Sequence, residues 1–242
     1  MGRKARRRLR PLEQELGRRR PDIANPAAVV AAGEVLVNGR IVTNPASLVP
    51  ADASIVVRRR RPLRGEVKLR AALAAFDVRV DGRVVVDAGA STGGFTRALL
   101  EAGAERVYAV DAGHGQLLGS LRSDPRVVNL EGVNLGELDT TRVPEEVELV
   151  TLDLSYLPLA DAAPQLARLA LAREAELVAL VKPAFELRLG EPPASPELLA
   201  RAVELARLGI ERSGWQVVAD LRSPVRGAHG AVEFLLHARR RC

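Results

Sequence analysis

Apolar positions along this chain follow two rhythms, and the change between them falls near residue 62. From Glu66 onward, short runs of Val, Leu and Ala alternate with longer stretches in which apolar residues recur every three or four positions. Arg83 to Asp87, Arg106 to Asp111, Arg126 to Leu130, Val147 to Asp153 and Leu177 to Lys182 read as strands, and helical patterns follow most of them. This alternation predicts an α/β fold, an open parallel sheet covered by helices on both faces. Two more strands are expected at Gln216 to Leu221 and Ala231 to Leu236. The link between them, Arg222 to Gly230, is too short for a parallel crossover, so the last strand should run antiparallel.

Before residue 62 the predicted elements are shorter. Asn25 can cap a helix with Pro26 at its first position, Ala27 to Ala32 as its body and Gly33 as its stop. Glu34 to Val37 and Arg40 to Val42 flank Asn38-Gly39, a pair that favours a two-residue hairpin turn. A further strand, Ser54 to Val57, runs into Arg58 to Arg61. The expected organisation is a small α+β unit over residues 1–61 with a basic N-terminal tail, then an α/β domain over 62–242. Arg61-Pro62-Leu63 is the linker. The arginines from Arg3 to Arg10 suit a solvated tail and a phosphate-contacting one equally.

Charge separates the two parts further. Residues 1–64 hold 15 Lys/Arg against 5 Asp/Glu, a net of +10, whereas residues 65–242 hold 21 against 25, a net of −4. The first part is therefore expected to attract a polyanion. Aromatic residues are absent from residues 1–64, so contact through phosphates is expected there and base stacking is not. Candidate contacts are Arg40, Arg58, Arg59, Arg60, Arg61 and Arg64. A single cysteine, Cys242, excludes an intrachain disulfide and suits a reducing cytoplasm. Three scattered histidines and no Cys-x-x-Cys pair offer no metal-site spacing. No uncharged stretch of about 18 residues exists to span a membrane.

Chemistry concentrates in the second part. Asp87-Ala88-Gly89-Ala90-Ser91-Thr92-Gly93-Gly94-Phe95-Thr96 follows the first strand and opens a helix. Glycines at such a turn admit a ligand close to the backbone, though tight turns need glycine in any case. The second strand ends in Val110-Asp111, where Rossmann-type sheets place an acid against ribose hydroxyls. The dinucleotide pattern G-x-G-x-x-G is absent. Asp87, Asp111, Asp153 and Lys182 all end predicted parallel strands and should share the edge where open α/β sheets bind ligands. Only three of the 36 basic residues are lysine, namely Lys4, Lys68 and Lys182. Taken singly, Asp153 reads equally as a helix cap, Glu233 as a surface charge, and Lys68 as a solvated residue of a helix buried through Leu69, Leu73 and Phe76.

The segment from Ala31 to Arg58 resembles the S-four-type RNA-binding domain. Asp-x-Gly-x-x-x-Gly-Gly-Phe from Asp87 to Phe95 resembles the cofactor loop of the FtsJ-like ribose 2′-O-methyltransferases, as do Asp153-Leu154-Ser155-Tyr156 and Lys182-Pro183-Ala184-Phe185-Glu186. The combination is similar to the TlyA group, ribosomal RNA methyltransferases also called hemolysins. That resemblance implies a Rossmann-like methyltransferase sheet preceded by an RNA-binding domain, with ribosomal RNA or ribosomal subunits as partner and no metal. It implies S-adenosyl-L-methionine held by Asp87, Gly89, Ser91, Thr92, Gly93, Gly94, Phe95, Asp111 and Asn134. It also implies a catalytic tetrad of Lys68, Asp153, Lys182 and Glu233.

In the chemistry so implied, Lys182, desolvated near Lys68, accepts the proton of a ribose hydroxyl. Asp153 orients it, and Lys68 and Glu233 hold the network and the ribose. Several supports differ from the family pattern: Leu63-Arg64-Gly65-Glu66 before the first lysine, Gly132-Val133-Asn134 after the third strand, Leu187 to Pro193 after Lys182-Pro183, and Gly230-Ala231 before the glutamate. These differences motivate a competing reading, an RNA-binding protein that keeps the fold with impaired catalysis. A membrane-lysing role gains nothing from the sequence, which has no evident basic amphipathic helix.

Overall fold

The computed structural model describes residues 9–58 and 62–241. The chain divides into two compact units, Met1–Arg61 and Pro62–Cys242. In the first, β1 (Leu9–Pro11) leads into α1 (Leu12–Arg19), followed by α2 (Pro26–Ala31), β2 (Val35–Val37), β3 (Arg40–Ile41), β4 (Leu48–Pro50) and β5 (Ile55–Val57). β1 pairs with β4, and β2 lies between β3 and β5. Asn25 caps α2 by accepting from the Ala28 N–H at 3.1 Å, and Asn38 and Gly39 both take positive φ at the hairpin, as their residue types predict.

Residues 9–19 carry more structure than an arginine-rich tail implies. Leu12 and Leu16 turn one face of α1 inward against Val30, Val35, Val49 and Ala53. Glu15 is buried with them, and its carboxylate gathers Arg18 at 2.5 Å, Arg19 at 2.8 Å and Arg10 at 3.7 Å. Hydrogen bonds from Arg18 and Arg19 hold that carboxyl down at about 2. The expected contributions of Arg3 to Arg8, Arg59, Arg60 and Arg61 lie outside the described residues.

The second unit begins with α3 (Arg64–Ala75). β6 (Val84–Ala88), α4 (Gly94–Glu101), β7 (Arg106–Asp111), α5 (Gly119–Arg122), β8 (Val127–Glu131) and β9 (Val147–Leu152) follow. α6 (Leu159–Ala162), β10 (Leu171–Val181), α7 (Pro183–Glu186), α8 (Pro196–Arg212), β11 (Trp215–Arg222) and β12 (Phe234–Arg240) complete it. Seven strands form one sheet in the order β11-β12-β10-β9-β6-β7-β8. β10, β9, β6, β7 and β8 are mutually parallel, and β12 runs antiparallel to both its neighbours, as the short preceding link requires. One face packs Leu69, Leu73, Phe95, Leu99 and Leu121 from α3, α4 and α5; the other packs Leu159, Ala206 and Ile210 from α6 and α8. The sheet is thus covered on both faces, and its central strands β6 and β9 and the second half of β10 are mostly apolar because both their sides are buried.

Two strands start three or more residues from their expected positions. β10 begins at Leu171, ahead of the expected Leu177, and β12 begins at Phe234, after the expected Ala231. Ala231 instead closes a turn in which its carbonyl accepts from the Gly227 N–H at 2.9 Å. Glu233 therefore stands one residue before the strand and not within it.

Candidate active site at the strand ends

The parallel strands deliver side chains to one rim. Asp111 is the last residue of β7, Asp153 follows β9 by one position, and Lys182 follows β10 by one. Because β10, β9, β6 and β7 are neighbours, these residues form a row at the carboxyl ends of the strands. The Lys182 ammonium lies 2.7 Å from Asp153 Oδ1 and donates to Ser155 Oγ at 2.6 Å. A second pair stands opposite in sequence: Lys68, from α3, is 2.5 Å from Glu233 Oε2. Both pairs line a single cavity of about 840 Å3, so the fold brings all four predicted residues together.

Lys68 and Glu233 keep only 7% and 6% of their side chains exposed, so Lys68 is not a solvated helix residue. A buried pair is costly to half-remove, because the orphaned charge stays desolvated. Gly227 leaves room for the Glu233 carboxylate, which a methyl group at that position would overlap. The pairing also corrects the expected electrostatics. Lys68 is compensated by Glu233 and does not act on Lys182 as a bare neighbouring cation.

The glycine loop sits between this cavity and a smaller one of about 210 Å3, and the two share Gly89, Ser91, Asp153 and Ser155. Gly89 has φ +90°, and a methyl group there would overlap the Asp153 carbonyl, so the loop and the end of β9 touch backbone to backbone. Asp111 accepts from the Ser91 N–H at 2.8 Å and the Gly113 N–H at 2.7 Å, which fixes its carboxylate at the edge of the smaller cavity. Val110, Val133 and Leu135 supply an apolar wall there. An acid with spare lone pairs beside an apolar slot fits a nucleoside, with the carboxylate toward the ribose diol and the slot toward the base.

Other predicted cofactor residues take supporting places. Asp87 is fully buried and accepts from Thr96 Oγ1 at 2.6 Å and Thr151 Oγ1 at 2.9 Å. It ties the loop to β9 and cannot touch a ligand directly; burial lifts its carboxyl to about 6 despite those bonds. Phe95 is a core residue with one edge on the larger cavity, beside Thr92 and Gly94, while Gly93 caps α4 in the left-handed region. Asn134 is exposed and its amide is engaged by Glu137 at 3.2 Å, outside the cavity linings.

Several residues of the site carried no signal that the sequence alone could sort. Gln116 lines the smaller cavity and accepts from Ser91 Oγ at 3.0 Å. Glu131, at the end of β8, accepts from the Leu117 N–H at 3.0 Å, the Asn129 amide at 3.0 Å and the Gln116 N–H at 2.6 Å, and these bonds hold it down at about 2. Glu186 accepts from the Leu159 N–H at 3.0 Å, and burial pushes its carboxyl up to about 7. Tyr156 and Phe185, the aromatic residues exposed at the two cavities, flank Asp153 and Lys182 in sequence. Arg64, exposed at the first position of α3, lines the larger cavity, and Arg40 and Arg58 are exposed on the first unit. Among the described residues no cluster of three His, Cys, Asp or Glu could hold a metal ion. Nor is any described helix long and apolar enough to cross a membrane.

Comparison with known proteins places this geometry in context. The family described as FtsJ-like methyltransferase matches residues 62–240. The 16S/23S rRNA (cytidine-2′-O)-methyltransferase TlyA of Mycobacterium tuberculosis is 41% identical over 222 residues, spanning 88% of this chain and 82% of the relative. A solved structure that carries the name hemolysin, from Streptococcus thermophilus, superposes with a TM-score of 0.71 at 29% identity, covering 97% of this chain and 90% of that one. An S-adenosylmethionine dependent methyltransferase from Mesorhizobium loti shares the fold at a TM-score of 0.51 and 20% identity, over 70% of this chain and 96% of that one.

Proposed function

Because this chain belongs to the FtsJ-like methyltransferase family, with the TlyA relative inside it, we propose that it methylates a ribose 2′-hydroxyl of ribosomal RNA using S-adenosyl-L-methionine. The observation that carries this reading is the convergence of Lys68, Asp153, Lys182 and Glu233 on one cavity that adjoins a nucleoside-sized slot. S-adenosyl-L-methionine, when bound, supplies a methyl group activated on a sulfonium. Asp111, Ser91 and the Val133–Leu135 wall would hold its nucleoside end, and the Gly89–Asp153 contact separates that end from the substrate cavity.

A ribose hydroxyl becomes a good nucleophile only as its proton leaves. Lys182 is the acceptor in this reading. Asp153 and Ser155 hold its Nζ from two sides, so the remaining direction points into the cavity. To accept that proton the Lys182 nitrogen must present its lone pair, so the neutral amine is the reactive form. Lys68 and Glu233 fix the opposite wall and position the ribose, and the narrow approach supplies orientation. Arg64, Arg40 and Arg58, with Arg59, Arg60 and Arg61, are assigned to RNA phosphates. The reducing cytoplasm, where ribosomal RNA is found, suits a chain with one cysteine.

The deciding experiment incubates the protein and labelled cofactor with unmodified ribosomal subunits and maps any 2′-O-methyl group. Lys182→Ala should abolish transfer and leave cofactor binding intact, and Lys182→Arg should be equally inactive because a guanidinium does not give up its proton. Full activity in either variant refutes the assignment of Lys182 as base. Tight RNA binding by the wild type with no methyl incorporation would favour the catalytically impaired reading.

A further inference from the structure

The larger cavity contains four cationic or potentially cationic side chains, and two of them are already engaged. Lys68 is paired with Glu233 and Lys182 with Asp153. Arg64 and His229 also line the cavity. Neither has a polar partner among the described residues. His229 is exposed, and it adopts φ +51° and ψ +27°, the left-handed region that L side chains rarely occupy.

The strain at His229 is not that of a loose loop. Gly227 N–H donates to the Ala231 carbonyl at 2.9 Å, and Ser223 N–H donates to the Glu233 carbonyl at 2.9 Å. The Arg226 guanidinium donates to the Gly230 carbonyl at 2.9 Å. These bonds grip the segment on both sides and connect it to Glu233, the buried partner of Lys68. Strained residues persist only where their surroundings over-determine them, and they cluster at sites that act on ligands. Glycine would adopt this conformation without cost, and Gly230 stands beside it, yet position 229 carries an imidazole.

We propose that His229 donates a hydrogen bond to a phosphate oxygen of the RNA strand at the mouth of the cavity, and so positions the target ribose against the Lys68–Glu233 wall. This inference rests on the proposed RNA substrate. A phosphate is favoured because the imidazole is an exposed donor on the same cavity as the exposed Arg64 guanidinium, whereas the Lys68–Glu233 pair on that cavity is buried. His229 touches the substrate in this assignment and takes no proton from the reacting hydroxyl.

The test compares the wild-type chain with His229→Gly and His229→Arg. Glycine relieves the backbone strain and removes only the side chain, so the thermal midpoint should hold or rise. KM for RNA should increase about tenfold, the range for one lost hydrogen bond to a charged group, with KM for S-adenosyl-L-methionine unmoved. Arginine, a permanent phosphate partner, should recover RNA affinity and steepen its salt dependence. Equilibrium binding of an rRNA fragment is measured in parallel, so the contact is read even without turnover. A wild-type KM and binding constant for RNA in the glycine variant would overturn the inference and leave the proposed reaction standing. An equal loss in the arginine variant would overturn the phosphate assignment. Wild-type binding that the glycine variant weakens, without methyl transfer by either, would overturn the proposed reaction and leave the contact standing.

Discussion

Replacing Gly89 with alanine tests whether the cofactor loop and the catalytic carboxylate are mechanically joined. Two costs arise, and they can be separated. The first is conformational: at φ +90° an alanine pays about 1–2 kcal/mol for the left-handed region. The second is contact. The new methyl carbon would lie 2.8 Å from the Asp153 carbonyl carbon, against a comfortable carbon separation of about 3.5 Å, so the two backbones must part by roughly 0.7 Å. That shift is transmitted to the 2.7 Å pair of Asp153 with Lys182 and takes it beyond good hydrogen-bond length. A displacement of that order at a reacting centre lowers turnover about 100-fold. Gly214 supplies the control: at φ +86° with open space around it, Gly214→Ala carries the conformational cost without the contact. Urea denaturation should therefore show the conformational loss in both variants, with a further loss from the contact in Gly89→Ala, and methyl-transfer assays should show a collapse of kcat in Gly89→Ala alone. If Gly89→Ala turns over within a few-fold of Gly214→Ala, the loop and Asp153 are not coupled as argued.

Other consequences are more direct. Lys68→Met should destabilise the second unit by about 3–5 kcal/mol by stranding the Glu233 carboxylate, and adding Glu233→Leu should recover much of that in denaturant melts. Glu131→Gln should loosen the backbone of Gln116 and Leu117 and raise KM for S-adenosyl-L-methionine several-fold, with KM for RNA unaffected, as steady-state kinetics will read. Glu186, raised from 4.5 to about 7, keeps its proton in the folded chain after the unfolded chain has lost it. Stability should thus fall as pH rises from about 4.5 to 7, and Glu186→Gln, which retains a carbonyl acceptor for Leu159, should be about equal at pH 4.5 and more stable by up to about 3 kcal/mol at pH 8. Absence of that pH-dependent gap in paired urea titrations would refute the buried-carboxyl argument.

Much of the sheet was legible because its strands are buried on both faces and so read as continuous apolar runs. β7 spans Arg106 to Asp111 as its pattern predicts. The start of β12 was not legible: Ala231 and Val232 look like strand residues, and only the left-handed His229 and the Gly227–Ala231 turn delay the strand to Phe234. β1 and α1 were hidden by arginine, although Leu12 and Leu16 stand four residues apart, the spacing of a buried helix face. The four residues of the candidate site were found as a set, but their pairing was not. Nothing in the sequence distance between Lys68 and Glu233 says that they meet, because α3 and the segment before β12 are brought together only by packing on the sheet. The same holds for Asp87, whose strand-end position suggests a ligand contact until Thr96 and Thr151 are seen to close over it.

The pairing gives a physical reason for lysine at both cavity positions in a chain that otherwise writes arginine. An ammonium is a compact donor that can meet one carboxylate at 2.5 Å inside a nearly closed wall, as Lys68 does. A guanidinium there would bring a larger planar head with five N–H groups to the same buried carboxylate. At Lys182 the requirement is chemical as well. The neutral amine carries two N–H donors and one lone pair; Asp153 and Ser155 can take the donors, which leaves the lone pair for the proton of a ribose hydroxyl. An arginine could satisfy the first two contacts but would remain protonated, so it would hold the hydroxyl without accepting from it. The two lysines therefore serve different ends, one electrostatic and one prototropic, and Lys68→Arg and Lys182→Arg should fail differently. The first should lose folding stability and the second turnover alone, and a Lys182→Arg enzyme with wild-type kcat would remove the argument for proton transfer altogether.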